Sequence, residues 1–262
     1  MSVWEAIFLG ALQGATEFLP VSSSGHLVVG QTLLGLEIQG VQFEVAVHVA
    51  TLISVLVIYR ERIIELVSGT IRRDRDAFRY VGLLALATLP AGIVGVFFGA
   101  AIEGLFESPF VPATAFLVTG AILWSTRRVL GRVVWKSPTW SMVLLIGLAQ
   151  AFALVPGISR SGTTVAMALW LGVSAKEAAA FSFLIAIPAI AGAAVLQVPE
   201  LASQGLALSG TALATGSIVA AVTGILAIKA FVALLARKAF HCFAIYCWAL
   251  GAAFLIYLLT VG

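Results

Sequence analysis

The chain contains apolar runs too long to be hidden in a soluble core. Tyr80–Ile102, Lys176–Leu196, Leu208–Leu235 and Phe240–Leu259 each reach or exceed the roughly 20 residues that a helix needs to cross a bilayer, and Tyr80–Ile102 carries no charge at all. In hydrocarbon every backbone N–H and C=O must be satisfied within the protein, which leaves helices or a closed barrel. The runs are continuous rather than alternating, which selects helices. The 262 residues are 61% hydrophobic and 10% charged, against about 45–50% and about 25% in soluble domains, so an all-α integral membrane protein is expected. Met1–Leu19 lacks a basic start and is interrupted by Glu5, Gln13 and Glu17, so it does not read as a cleaved leader.

Ten helical segments are predicted: Val3–Phe18, Gly25–Leu36, Phe43–Tyr59, Tyr80–Ile102, Val111–Trp124, Trp140–Val155, Thr163–Leu171, Lys176–Leu196, Leu208–Leu235 and Phe240–Leu259. Six approach or exceed spanning length. The other four form two pairs, each broken by a proline, Pro20 or Pro156, which ends or kinks a helix. Two short helices around a polar break suggest a re-entrant hairpin, and irregular backbone at that depth is tolerated only inside protein or beside a water-filled cavity. The expected architecture is therefore six transmembrane helices plus two re-entrant helical hairpins in a single membrane domain, 1–262.

The two hairpins repeat one another. Gly10-Ala11-Leu12-Gln13 parallels Gly147-Leu148-Ala149-Gln150 at an offset of 137, and Ser22-Ser23-Ser24-Gly25 faces Ser159-Arg160-Ser161-Gly162. Each half, roughly 1–130 and 137–262, reads hairpin then three spans. An odd number of spans inverts the second half, and inverted repeats with broken helices place their site at the midplane. The basic residues agree. Arg60, Arg62, Arg72, Arg73, Arg75 and Arg79 share one connection; Arg127, Arg128, Arg132 and Lys136 precede the second hairpin; Lys176 follows it; Lys229, Arg237 and Lys238 lie near the last connection. Alternate connections hold Glu37, Glu103, Glu107 and Glu200 instead. The positive-inside rule makes the basic connections cytoplasmic and both termini external in the cell inner (plasma) membrane. Of fifteen Lys and Arg residues, only Arg160 has no cytoplasmic place; it must lie at membrane depth, where a charge is expensive and marks function.

The chemistry concentrates in the breaks. Gln13 and Glu17 are i,i+4 on one helix face, two oxygen donors suited to a hard divalent cation that also holds phosphate oxygens. The plainer alternative makes Glu17 a helix-end carboxylate bonded to nearby amides. His26 can serve as base, acid or nucleophile. Ser22 or Ser23 is a nucleophile if His26 reaches its hydroxyl, whereas Ser22, Ser23 and Ser24 as caps of the next helix is the plainer use. A capped N-terminus is itself an anion site, with Gly25 admitting close approach. Arg160, among Gly157, Ser159, Ser161, Gly162, Thr163 and Thr164, suits bidentate grip on phosphate oxygens; the alternative is an internal partner for Glu17. Glu44 and His48 share a helix face without a third ligand, which favours packing or a supporting role over zinc. His241 reads as an interfacial flank and Gln150 as a symmetry echo of Gln13. The spacing of Cys242 and Cys247 argues against a disulfide.

These motifs resemble the undecaprenyl-diphosphate phosphatase family of the bacitracin-resistance type. Gln13-Gly14-Ala15-Thr16-Glu17 is similar to its Glu/Gln-x-x-x-Glu motif, Phe18 to His26 to the run that follows, and Pro156 to Thr164 to its Pro-Gly-x-Ser-Arg-Ser-x-x-Thr motif. The resemblance implies a membrane enzyme hydrolysing undecaprenyl diphosphate to the monophosphate with a divalent cation, Mg2+ or Ca2+, and recycling the lipid carrier of cell-wall synthesis. By position it implies Glu17, Ser23, His26 and Arg160 as catalytic, Glu17 and Gln13 toward the metal, and the remaining hydroxyls, Gly25 and Gly162 toward the diphosphate. Whether Ser23, His26 or water attacks stays open. Gln13 departs from the many members that carry Glu there and leaves one negative charge fewer. The implied partners are the polyprenyl diphosphate and membrane lipids, with a homodimer as candidate assembly and no nucleic acid. A lipid-phosphate transporter or flippase of the same architecture is the competing reading.

Overall fold

The computed structural model describes residues 1–35, 42–199, 201 and 208–261. Among them the chain is helical, in the order α1 (Val3–Phe18), α2 (Ser23–Leu34), α3 (Gln42–Ile58), α4 (Arg60–Ile71), α5 (Arg75–Phe106), α6 (Phe110–Ser125), α7 (Trp140–Phe152), α8 (Arg160–Trp170), α9 (Ala175–Leu196), α10 (Gly210–Ala236) and α11 (Phe243–Val261). The described residues hold no strand, only a bridge between Trp135 and Val173. Glu37 and Glu200, and the helix end expected at Leu36, lie outside the described residues.

Local chemistry sets the helix ends. Ser2 and Glu5 close a reciprocal capping box at the start of α1. Leu19, ahead of Pro20, is extended, so α1 stops at Phe18. Ser22 caps α2 and Ser159 caps α8, each through its hydroxyl to the amide three residues on. Gly35 ends α2 in the left-handed conformation at φ 60°. The helix α5 runs 32 residues through Pro90 and departs from helical geometry at Phe98.

Helices α5, α9, α10 and the Phe240–Thr260 stretch that overlaps α11 are long and apolar enough to cross a membrane, and the bent pair α3–α4 makes a fifth candidate. The bend between α3 and α4 is 81°. Residues 60–79, expected from sequence as a basic connection, instead form α4 within them, burying Leu66 while Ile64, Val67 and Ile71 stay exposed. Its charges masked a helical apolar spacing. The outward faces remain apolar, as at Val96, Phe97, Ile218, Val222, Ile256 and Leu259.

The interior is held by close helix approach. Gly10 of α1 lies against the Gly216 carbonyl of α10, and its repeat mate Gly147 of α7 lies against the Ala87 carbonyl of α5; a β-carbon at either would collide with that backbone. Helix α1 thus packs on α10, and α7 on α5. A chain of edge-on rings, Phe18–Phe183–Phe231–Phe240, with centroids 5.6, 5.1 and 5.8 Å apart, joins α1, α9 and α10 to the turn before α11. The cysteines are unpaired, Cys242 exposed and Cys247 buried.

The two kinds of glycine behave oppositely. Gly10→Ala should lower the thermal midpoint in detergent, an overpacking cost of about 1–3 kcal/mol. Gly92→Ala, where nothing lies within 4 Å of the added carbon, should leave it unchanged or raise it.

Candidate active site

Four elements meet at the Glu17 carboxylate. Gln13, one turn earlier on α1, donates from Nε2 to Oε2 at 3.0 Å. Ser23, the first residue of α2, donates its hydroxyl to Oε2 at 2.5 Å. Arg160, the first residue of α8, donates from Nη2 to Oε1 at 2.5 Å. His48 of α3 brings Nε2 to 3.7 Å from Oε2. Glu17 is only 8% exposed, so an ion pair and two further donors stand in for the water it has lost.

Two buried polar atoms in this cluster have no partner: Arg160 Nη1 and Gln13 Oε1. An unsatisfied guanidinium nitrogen beside a carboxylate calls for an anion, and an unsatisfied amide oxygen beside that carboxylate calls for a cation or a donor. The residues therefore fit a phosphate on the arginine side and a hard cation on the Gln13–Glu17 side. Among the described residues no three His, Cys, Asp or Glu side chains gather as a metal cluster.

The breaks touch directly. Ser161 donates to the Leu19 carbonyl at 3.1 Å. Gly25 lies so close to the Gly157 α-carbon and the Phe116 ring that a β-carbon there would collide with both. Ser22 adopts φ 68°, a left-handed conformation unusual for serine, at the turn that presents Ser23 to Glu17. Its hydroxyl lies 3.3 Å from that of Ser24 and accepts from the Gly25 amide at 3.4 Å. In the second break Ser159 accepts from the Gly162 amide at 3.1 Å. Thr163 bonds the Ser159 carbonyl at 2.7 Å, while Thr164 lies 2.7 Å from the Arg160 carbonyl oxygen and 2.6 Å from the Ser182 hydroxyl.

His26 lies in the same break but bonds elsewhere. Its Nδ1 is 2.7 Å from the Ser22 carbonyl oxygen and its Nε2 2.7 Å from the Tyr246 hydroxyl. The hydroxyl contact that a serine–histidine pair would need is replaced by the Ser23–Glu17 bond. The internal-partner alternative for Arg160 is the geometry seen here. Gln150 donates to the Ala87 carbonyl at 3.4 Å, away from the carboxylate that its mate Gln13 serves.

Three residues at the site were not singled out as site residues from sequence. His48 was read as packing or supporting; its face-sharing with Glu44 hinted at an inward orientation, and its Nδ1 lies 2.8 Å from the Glu44 carbonyl oxygen. Tyr246 and Thr119 are lone polar groups in apolar runs. Thr119 spans the second break from α6, donating to the Gly157 carbonyl at 2.8 Å and accepting from the Ser159 amide at 3.1 Å.

Residues 6–253 match the family described as Bacitracin resistance protein BacA. The chain belongs to this family. Curated relatives agree along the whole length. The Undecaprenyl-diphosphatase of Desulfatibacillum aliphaticivorans is 40% identical, covering 96% of this chain and 97% of its own. That of Alcanivorax borkumensis is 41% identical over 98% and 100%, and that of Alkaliphilus metalliredigens 36% over 98% and 99%. The family resemblance read from the two motifs is thereby borne out. The BacA match together with the long apolar helices makes this a multi-pass membrane protein.

Thr119→Val keeps the shape of the side chain and removes both bonds to the second break. It should cost about 1–3 kcal/mol in thermal unfolding, because the Gly157 carbonyl and Ser159 amide lose their buried partner. Thr114→Val on the same helix, where the exposed hydroxyl bonds only its own helix, should change nothing.

Proposed function

We propose that this chain hydrolyses undecaprenyl diphosphate to undecaprenyl phosphate and inorganic phosphate, recycling the lipid carrier of cell-wall synthesis. The observation that carries the reading is the buried, unpartnered Nη1 of an arginine, Arg160, paired with the carboxylate that also accepts from the Ser23 hydroxyl. Relatives named Undecaprenyl-diphosphatase support it, and no observation favours the transporter alternative.

In this reading the terminal phosphate docks on Arg160 and on the helix N-termini that begin at Ser23 and Arg160. Phosphate draws the guanidinium away from Glu17, and the carboxylate regains basicity. Ser23 Oγ attacks the terminal phosphorus, Glu17 takes the hydroxyl proton, and the bond to the bridging oxygen breaks to release undecaprenyl phosphate. Water then attacks the phosphoserine, Glu17 returns its proton to Ser23 Oγ, and the phosphate keeps the water's two protons. The Ser23–Glu17 bond of 2.5 Å favours Glu17 over His26 as proton acceptor. Glu17 and Gln13 Oε1 would hold a divalent cation, Mg2+ or Ca2+, which when bound neutralises charge on the phosphate oxygens.

The same proposal includes the membrane arrangement: six spans with α1–α2 and α7–α8 as re-entrant hairpins, halves 1–130 and 137–262 inverted within one domain, basic connections in the cytoplasm and termini outside the plasma membrane. The reciprocal packing of Gly10 and Gly147 supports the inversion. The short α3 and α6 would cross with help from their neighbours.

Purified protein in detergent should release phosphate from undecaprenyl diphosphate, and a chelator should stop it. Arg160→Lys should lower kcat by about 10²–10³, because an ammonium cannot bridge Glu17 and phosphate as the fork does. Rapid-quench trapping should place phosphate on Ser23; phosphate on His26, or none, would overturn the assigned nucleophile.

A further inference from the structure

His26 is engaged at both ring nitrogens. A carbonyl oxygen only accepts, so the nitrogen facing Ser22, Nδ1, carries the proton. In the neutral ring Nε2 is then the lone-pair nitrogen, and the Tyr246 hydroxyl donates to it. The imidazole and phenol ring planes are parallel to within 1°, with centroids 5.7 Å apart. Phe116 makes a T-shaped contact with the imidazole, the ring centroids 5.1 Å apart. The ring is therefore clamped in orientation by a side chain from α11.

The burial pattern says which way the clamp faces. His26 is 5% exposed and Tyr246 47%. The basic nitrogen of His26 is thus engaged by a half-exposed tyrosine, and the Ser23 hydroxyl is engaged by Glu17 instead. Its protonated nitrogen grips the carbonyl of Ser22, whose positive φ makes the turn that delivers Ser23. The α11 register is set independently of Tyr246: Trp248 donates to the Leu117 carbonyl at 3.1 Å, and Gly251 packs on the Ala113 carbonyl.

We propose that Tyr246 is a positioning residue for the phosphatase reaction. Its hydroxyl holds the His26 ring in the plane where Nδ1–H secures the Ser22 carbonyl, and that bond keeps Ser23 on Glu17. His26 thus acts on the reaction through the backbone of the turn. The proposal rests on Ser23 as nucleophile, as assigned above.

The test is Tyr246→Phe in the full-length protein in detergent, alone and combined with His26→Ala. Expected are a kcat reduced about five- to tenfold, the size of one lost hydrogen bond, with KM within about twofold. The thermal midpoint should hold, since the half-exposed ring is kept. In the His26→Ala background the tyrosine change should add nothing. Ring-nitrogen NMR of labelled histidine, assigned with His26→Ala, should show wild-type His26 protonated at Nδ1, and only its Nε2 resonance should move strongly in Tyr246→Phe. A wild-type kcat in Tyr246→Phe, an equal loss in both backgrounds, or a wild-type ring protonated at Nε2 overturns the proposal. A wild-type protein that releases no phosphate overturns the hydrolase reading, and the ring spectrum then still decides whether Tyr246 holds His26.

Discussion

A carboxylate and a guanidinium in contact, both withdrawn from water inside an apolar bundle, are the constraint on which the rest depends. Glu17 comes from the end of α1 and Arg160 from the start of α8. Neither charge is tolerable alone when so buried, so each break is stable only with the other in place. The pair is also incompletely satisfied: Arg160 keeps one buried nitrogen without a partner and Gln13 keeps one buried oxygen. Structural ion pairs are usually closed. This one is open on the side where a phosphate would add its oxygens.

Bringing two helix ends to one carboxylate requires backbones to approach more closely than large side chains allow. The glycines at 10, 14 and 147 serve that purpose, laying α1 on α10 and α7 on α5. Contacts between the breaks then set their relative height, Ser161 on the Leu19 carbonyl and Gly25 against Gly157, while Thr119 of α6 braces the second break at Gly157 and Ser159. Precision at the site is thus inherited from helix packing, with Ser22 and Gly157 taking up positive φ, 68° and 94°, to complete the two turns.

The parts legible in the sequence were those written in local pattern. Continuous apolar runs marked the long helices, Pro20 and Pro156 marked the breaks, and the distribution of basic residues singled out Arg160. The helix α4 escaped because its four charges between Arg60 and Glu65 outweighed a buried stripe consisting of little more than Leu66. His48, Tyr246 and Thr119 escaped for a different reason. Each is a polar residue in an apolar helix, and what it touches is decided by packing between helices: Tyr246 meets His26 across 220 residues of chain. The same holds for the base assigned to Ser23. Proximity in sequence suggested His26, three residues away; the Ser23 hydroxyl donates to Glu17, while the His26 nitrogens face the Ser22 carbonyl and the Tyr246 hydroxyl.

The claim that the two breaks form one site through the Glu17–Arg160 pair is tested most directly by a double-mutant cycle on thermal stability in detergent, using Glu17→Gln, Arg160→Gln and the two together. Each single change strands a buried charge and should cost about 3–5 kcal/mol. The double variant has no charge to strand, so it should lose clearly less than the sum, with a coupling of at least about 1–3 kcal/mol. Additive losses in the double variant would mean that the two side chains do not meet, and would contradict the account.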